Sequence, residues 1–369
     1  MSASEFSKVL VLGAGKVGST VADMVAHYHG LPVTLADVHR EPTAGADPLV
    51  TRAVVDVEDP QALAAALAAH PVVINALPFY LATPVATQAA RLGTHYFDLT
   101  EDVAATSAIR ALAPKTKGVL MPQSGLAPGV IGMLGGELAR NFETLYDLRL
   151  RVGALTRNAT NRLRYNFTWS IDGVINEYCN PCDAIVNGRR IQVQPLEGHE
   201  TFTLDSEAFE AFNTSGGLGT LCETLKGKVQ TLDYKTVRYP GHCDIMKMLL
   251  QELGMQFDQE NLKNILRKSI PLTMQDVVLV FVTVSGERDG QLVQEVFARK
   301  IFADRDEKAP LSAIQITTAA GICAAVDLFR EGKLPQSGFI RQEQVELPAF
   351  LANRFGKAYQ QSRQVESIG

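Results

Sequence analysis

The sequence predicts an α/β protein in two parts: a doubly wound parallel sheet of the Rossmann type at the N-terminus, then an α+β domain on a mixed or antiparallel sheet. Three observations carry this. The apolar run Lys8-Val-Leu-Val-Leu12 ends in the glycine-rich turn Gly13-Ala14-Gly15-Lys16-Val17-Gly18. Short apolar runs then alternate with helical patterns up to residue 130, the rhythm of parallel strands with crossover helices. Beyond that point the pattern changes to the period-2 alternation of strands with one wet face.

The first strand, 8–12, is continuously apolar, as expected of a strand buried on both faces. In the turn after it, Gly13 permits the tight bend and Gly15 lets backbone approach a pyrophosphate. Gly18 lets the next helix pack closely on the strand. Ala14, Lys16 and Val17 complete the loop, and phosphates would sit at the N-terminus of a helix expected over Lys16–Tyr28. The second strand, 33–37, closes on Asp37, where a carboxylate accepts from a ribose 2′-hydroxyl. Val38 follows it. Asp37 favours NAD as the coenzyme, while Arg40, three residues on, leaves NADP possible.

Further strands are expected at 51–57, 71–77, 94–99 and 118–123, with helices from Pro60 and over Thr83–Leu92, giving six parallel strands. Asp56 ends the third strand, and Asn75, Ala76, Leu77 and Pro78 end the fourth beside the expected nicotinamide ribose. These strand ends complete the cofactor-binding set, because ligands of open α/β sheets gather at the carboxyl edge. Leu145–Leu155 then reads as a strand, 183–203 and 276–304 as hairpins, and 170–178, 243–252 and 259–267 as helices. Long helices are expected over Ala309–Glu331 and 345–362. The nucleotide domain thus takes 1–130 and 310–369, and the substrate and dimerisation domain 131–309.

Composition excludes several classes. A chain of 369 residues is too long for one ordinary core. With 46% hydrophobic and 20% charged residues it has the balance of a soluble globular protein. A net charge of −5 without a basic run argues against nucleic acid. No apolar stretch approaches a membrane span, and Met1-Ser-Ala-Ser-Glu5 does not resemble a signal peptide, so a cytoplasmic enzyme without a membrane partner is expected. The five cysteines suit reduced thiols better than a disulfide framework. Cys179-Asn-Pro-Cys182 invites a metal or redox reading, but no second pair completes a zinc set, and no metal is expected.

The chemistry is expected at five places. Tyr80 follows the fourth strand. Asp98 and Glu101 follow the fifth, where Asp98 serves either as a helix cap with Glu101 three residues on or as an active-site acid. The turn Gln123–Gly129 follows the sixth. In the second domain, Phe212-Asn-Thr214-Ser215-Gly-Gly217 is hydroxyl-rich, with glycines that let backbone N–H groups approach an anion. Tyr234–His242 offers Arg238 to clamp a carboxylate and His242 to carry a proton near neutral pH, although both also suit structural roles.

Taken together, Gly13–Gly15, Pro122–Gly129, Tyr165-Asn-Phe-Thr-Trp-Ser170, Ser170–Tyr178, Ala211–Gly217 and Tyr234–His242 resemble the saccharopine dehydrogenase-like family over nearly the whole chain. Within it the likeness is nearest to the branch that deaminates lysine at its ε-carbon. The resemblance implies NAD⁺-dependent oxidation of L-lysine to allysine, which cyclises to piperideine-6-carboxylate, with release of ammonia; it also implies a homodimer. Saccharopine-forming relatives carry Cys in the turn that reads Gln123-Ser124-Gly125 here, and Asp where Ala127 stands, which disfavours saccharopine as substrate. On this reading Asp98 or His242 handles the proton, with Glu101 and Tyr80 in reserve, and Arg238, Thr214 and Ser215 hold the α-carboxylate. The residue for the α-ammonium is not named by the sequence. Two rivals stand beside it: a secondary-amine-forming reductase of the same family, as carboxynorspermidine or opine-type enzymes are, and a non-catalytic nucleotide sensor.

Overall fold

A computed structural model describes residues 6–39, 47–304 and 310–360. Arg40 lies outside the described residues. The chain forms two compact units, one of residues 1–133 and 315–357 and one of 134–314 and 358–369.

The N-terminal unit follows the expected rhythm. Its elements are β1 (Val9–Leu12), α1 (Lys16–His29), β2 (Val33–Asp37), β3 (Val50–Val54), α2 (Pro60–Ala68) and β4 (Val72–Asn75). Then come α3 (Ala82–Leu92), β5 (His95–Asp98), α4 (Val103–Leu112) and β6 (Val119–Met121); α5 (Val130–Arg140) begins in this unit and continues in the second. Asp59 caps α2 by accepting from the Gln61 amide, with Pro60 in the first turn, where its missing N–H costs nothing. Gly30, in the left-handed region, ends α1. β1 and β4 are fully buried, as their apolar runs require.

The second unit contains β7 (Thr144–Thr156), α6 (Ile171–Cys179), β8 (Cys182–Val186), β9 (Arg189–Val193), β10 (Glu200–Leu204) and β11 (Glu207–Asn213). It continues through α7 (Leu221–Thr224), β12 (Val229–Arg238), α8 (His242–Lys247), α9 (Gln259–Ser269), β13 (Asp276–Arg288) and β14 (Gln291–Phe302). Its sheet runs β10-β11-β12-β7-β13-β14, with β8 against β12 and β9 against β8. Only the β12–β7 ladder is parallel, so the sheet is mixed. Three hairpins turn on two residues each: Asn187-Gly188, Asp205-Ser206 and Asp289-Gly290 all have positive φ. That is the backbone whose twist matches the flanking strands.

The chain ends with α10 (Ala313–Arg330), β15 (Gly338–Phe339) and α11 (Leu347–Ala352). Asp276, fully buried, accepts the Ala313 and Ile314 amides and so caps α10. β15 pairs with β6, giving the N-terminal sheet seven parallel strands in the order β15-β6-β5-β4-β1-β2-β3 rather than the six expected. Residues 183–203 are not one hairpin: β8 and β9 form one, and β10 begins the next. Nor is 345–362 one helix. Asn353 leaves α11 to bond the buried Asp327, and a side chain at Gly356 would strike the Phe350 carbonyl at 1.8 Å. One further expectation fails: α10 is long and apolar enough to cross a membrane, and 83% of that window is buried within the protein as a core helix.

Candidate functional site

In the N-terminal unit the strand order reverses between β1 and β4, and the loops after β1, β2 and β4 share one edge. Each glycine of the turn has a separate reason. Gly13 sits at φ +97°, and a Cβ there would meet the Ala76 carbonyl oxygen at 2.8 Å. A Cβ at Gly18 would lie 1.9 Å from the Gly13 oxygen, so that glycine is required for the helix to approach the strand. Around Gly15 there is nothing within 4 Å of a Cβ, and no side chain caps the first turn of α1. An open glycine beside uncapped helix amides fits a pyrophosphate. Lys16 is exposed and Val17 and Ala14 partly so.

Asp37, half-buried at the end of β2, accepts the Ala14 amide at 2.7 Å, which ties the two loops together. Val38 is exposed beside it. Asn75 is buried, bonded to the Leu77 amide and the Tyr96 hydroxyl, and it fixes the turn through Ala76, Leu77 and Pro78. Asp56 is exposed, and its side chain accepts the Glu58 amide. The residues present therefore suit a dinucleotide.

Asp98 differs from both expectations. It does not cap α4; Asp102 does, by accepting the Ala105 amide. Asp98 is 1% exposed. Its Oδ1 takes the Thr100 and Gln123 amides and its Oδ2 the Tyr96 hydroxyl. Burial raises its pKa to about 6 against these bonds, but neither oxygen reaches a surface from which a ligand proton arrives. Asp98 pins the ends of β5 and β6. Glu101 is half-buried beyond it, and Tyr80 is 62% exposed, its ring edge-on to Phe79.

In the second unit Arg238 and His242 come together with residues the sequence reading passed over. In the β11–β12 ladder Glu210 faces Arg238 and Phe212 faces Thr236. Cross-strand pairs share a sheet face. Tyr234, Thr236 and Arg238 therefore line the same face by alternation. Thr214 joins this row through its hydroxyl, 2.7 Å from that of Thr236, and the Ser215 amide donates to the Glu177 carbonyl. Gly217 serves a different purpose from anion approach: a Cβ there would lie 2.3 Å from the Tyr234 ring, so glycine makes room for the aromatic.

His242 is 1% exposed, its ring parallel to Phe212. Its Nδ1 lies 3.0 Å from the Leu163 carbonyl, which can only accept, so Nδ1 carries the proton. Nε2 then accepts from the Tyr178 hydroxyl at 3.1 Å. Burial, and then the Arg238 charge, push its pKa down to about 3. His242 is thus a neutral support and not a proton carrier at neutral pH. Glu210 fixes it by accepting the Gly241 and Cys243 amides on either side.

Arg238 is 2% exposed. Its guanidinium lies 4.7 Å from the Tyr165 ring centroid and 5.9 Å from that of Tyr178, and Nη1 donates to the Val237 carbonyl. Its cross-strand neighbour Glu210 spends both oxygens on the 241–243 turn. The Arg238 Nε, the Tyr165 hydroxyl and the Thr168 hydroxyl are buried without a hydrogen-bond partner. A buried cation on aromatic faces with an unsatisfied donor suits a carboxylate. The sequence signal for these neighbours lay in the segments Tyr165–Ser170 and Ser170–Tyr178, whose chemistry shows only after folding.

Cys179 and Cys182 are free thiols, one half-buried and one buried. Cys179 ends α6 and Cys182 opens β8, and burial pushes their thiols up to about 11 and about 12. Among the described residues no group of three or more His, Cys, Asp or Glu gathers as metal ligands.

Two family models match. One described as the saccharopine dehydrogenase NADP binding domain covers residues 9–161, and one described as the saccharopine dehydrogenase C-terminal domain covers 125–356. Among curated proteins the chain is 21% identical over 265 residues to saccharopine dehydrogenase (NADP⁺, L-glutamate-forming) of Schizosaccharomyces pombe, covering 69% of this chain and 58% of that protein. It is 22% identical over 319 residues to the mitochondrial alpha-aminoadipic semialdehyde synthase of Rattus norvegicus, covering 82% of this chain and 34% of that protein. The chain thus spans little more than half of the first relative and a third of the second. Apo saccharopine dehydrogenase (L-Glu forming) from Saccharomyces cerevisiae shares the fold, with a TM-score of 0.75, 19% identity, and coverage of 93% of this chain and 96% of that one.

Proposed function

Since this chain belongs to the saccharopine dehydrogenase family, we propose that it is an NAD(P)-dependent oxidoreductase acting on the CH–NH₂ group of an amino acid, and specifically a lysine 6-dehydrogenase. The reaction converts L-lysine, NAD⁺ and water to allysine, ammonium, NADH and a proton, and allysine cyclises. The observation that carries the amino-acid assignment is Arg238, a buried guanidinium with an unsatisfied Nε. It binds the α-carboxylate, with Tyr165 and Tyr178 holding its plane.

The Gly13–Gly18 turn holds the pyrophosphate, Asp37 the adenosine ribose, and the Asn75–Pro78 turn flanks the nicotinamide ribose. The bound coenzyme accepts the hydride. Asn75 fixes its turn through the Leu77 amide, and Asp98 fixes the neighbouring strand ends through Thr100 and Gln123. Tyr178 and His242 hold no proton that exchanges near neutral pH.

Hydride leaves the ε-carbon only from the free amine. With Asp98 and His242 both enclosed, we take the ammonium proton to be lost to solvent before hydride transfer. The test is NADH formation with stoichiometric ammonia from lysine across a pH series. With kcat/KM followed for lysine, its logarithm should climb by about one per pH unit from neutrality toward the amine pKa of roughly 10.4. A plateau beginning near pH 6–7 would show a tuned base instead. Absence of turnover at every pH would remove the lysine assignment, and the secondary-amine reading would then be tried with lysine-derived aldehyde, an amine partner and NADPH.

We also take the enzyme to be a cytoplasmic homodimer. Its five cysteines are free thiols, as a reducing compartment keeps them. Cell fractionation checks the compartment, and light scattering should return twice the chain mass.

A further inference from the structure

Buried polar groups between Asn75 and Gln123 form one continuous chain across the carboxyl ends of three neighbouring strands. β4, β5 and β6 run parallel to β1, so the turns that follow them leave at the same edge as the glycine turn. Tyr96, on β5, is fully buried and shares a face of its strand with Asp98, two residues on. Its hydroxyl lies 2.7 Å from Asp98 Oδ2 and 3.2 Å from the Ala82 carbonyl. Burial, and then the Asp98 charge, raise its pKa far above the ordinary tyrosine value, so the hydroxyl keeps its one proton. Asp98 is ionised at neutral pH. The proton therefore goes to Asp98, the nearer and charged acceptor.

This direction of donation fixes Asn75. A hydroxyl that has given its proton to Asp98 can only accept from Asn75, so Nδ2 faces it at 3.1 Å and Oδ1 turns to the Leu77 amide at 3.2 Å. The opposite amide orientation would set an NH₂ against the Leu77 N–H. On its far side the Ala76–Leu77 turn abuts Gly13, where a Cβ would meet the Ala76 oxygen at 2.8 Å and the Leu77 nitrogen at 3.2 Å. At the other end of the chain, Asp98 Oδ1 takes the amide of Gln123, which has a φ of +61°. A side-chain-bearing residue stays in that region only when its surroundings hold it there. We propose that Tyr96 is a positioning residue: its buried hydroxyl orients the Asn75 amide, and through it the Ala76–Leu77 turn, for the nicotinamide half of the coenzyme. The proposal rests on the reading of that turn as the flank of the nicotinamide ribose, and it does not depend on which amino acid is oxidised.

Tyr96→Phe keeps the ring in the apolar cluster it shares with Ala82 and Ala86 and removes only the hydroxyl. The Asn75 NH₂ is then buried without its acceptor, and its hold on Leu77 loosens. Calorimetry on the full chain, without substrate, compares NADH with ADP, which occupies the glycine turn but lacks the second ribose and the nicotinamide. Tyr96→Phe should weaken NADH by roughly five- to tenfold, the worth of one hydrogen bond, and leave ADP within about twofold of the parent. Asn75→Ala breaks the chain at its next link and should show the same selective loss. The double variant should bind NADH no more weakly than Asn75→Ala alone, because one effect passes through the other. A general loss of packing would lower both ligands together and leave their ratio where it was.

A folded Tyr96→Phe that binds NADH like the parent overturns the proposal, and so do losses that add in the double variant. An equal fall for NADH and ADP makes Tyr96 a strut of the whole unit and overturns it as well. If Tyr96→Phe does not fold, Asn75→Ala decides: unchanged NADH affinity there removes the link through which Tyr96 acts. A parent chain that binds neither NADH nor ADP would remove the dinucleotide reading itself, and the proposal with it.

Discussion

At the scale of single residues, the two groups that the sequence marked as proton carriers titrate in opposite directions. His242 has its pKa lowered from 6.5 to about 3, so below pH 6.5 the unfolded chain binds a proton that the folded chain refuses. Its contribution to stability is present above pH 6.5 and is lost as the pH falls toward 3. Burial raises Asp98 from 3.8 to about 6, so the folded chain keeps a proton that the unfolded chain has released. Stability from that source is lost as the pH rises from about 4 to 6. Each slope reaches at most roughly 1.4 kcal/mol per pH unit, and between pH 4 and 6 they largely cancel. Urea unfolding across that range should therefore show Asp98→Asn gaining stability with pH relative to the parent chain, and His242→Gln losing it. Parallel curves for all three proteins would mean that neither group is buried in the charge state described. Both residues were legible as unusual because Asp98 ends a strand and His242 follows the turn after one. Their roles were not, because a carboxyl or an imidazole is an acid, a base or a strut according to what encloses it.

At the scale of elements, the glycine turn was read as three different requirements; the geometry bears out those of Gly13 and Gly18, and Gly15 faces open space. Gly18→Ala places a Cβ 1.9 Å from the Gly13 carbonyl oxygen and has to push α1 away from β1. Gly15→Ala meets no protein atom within 4 Å and keeps a negative φ of −68°. Gly18→Ala should therefore lower the melting temperature markedly, by several degrees for roughly 1–3 kcal/mol of overpacking. Gly15→Ala should melt like the parent yet bind NADH at least tenfold more weakly. Undiminished NADH affinity in folded Gly15→Ala would take the pyrophosphate away from this turn. Strands β1, β2, β4 and β5 were legible to within a residue or two, since apolar runs bounded by glycine and proline have few alternatives. The helix expected over 345–362 was not, because its break comes from Asp327, a distant partner of Asn353.

At the scale of the molecule, folding and coenzyme binding are linked. A ligand held only by the native state adds stability as its concentration passes its Kd, about 2.7 kcal/mol at a hundredfold excess. On the proposed placement of Asp37 at the ribose, a 2′-phosphate would meet a carboxylate, and NADH should raise the melting temperature more than NADPH at equal concentration. Asp37→Ala should narrow that gap. An equal or larger shift with NADPH would mean that Asp37 does not set the coenzyme.

What the sequence determined by itself was local: the parallel sheet with its glycine turn and acidic strand end, the alternating strands of the second unit, and the hairpin over 276–304. These follow from periodicity and backbone freedom within a few residues. What only the tertiary structure decided was which polar groups share a face. Glu210 opposite Arg238, Tyr178 on His242, and Tyr165 beneath the guanidinium meet across as many as 73 positions of chain between Tyr165 and Arg238. Burial sets the charge state of each, and burial depends on packing between segments whose spacing in the sequence carries no record of it.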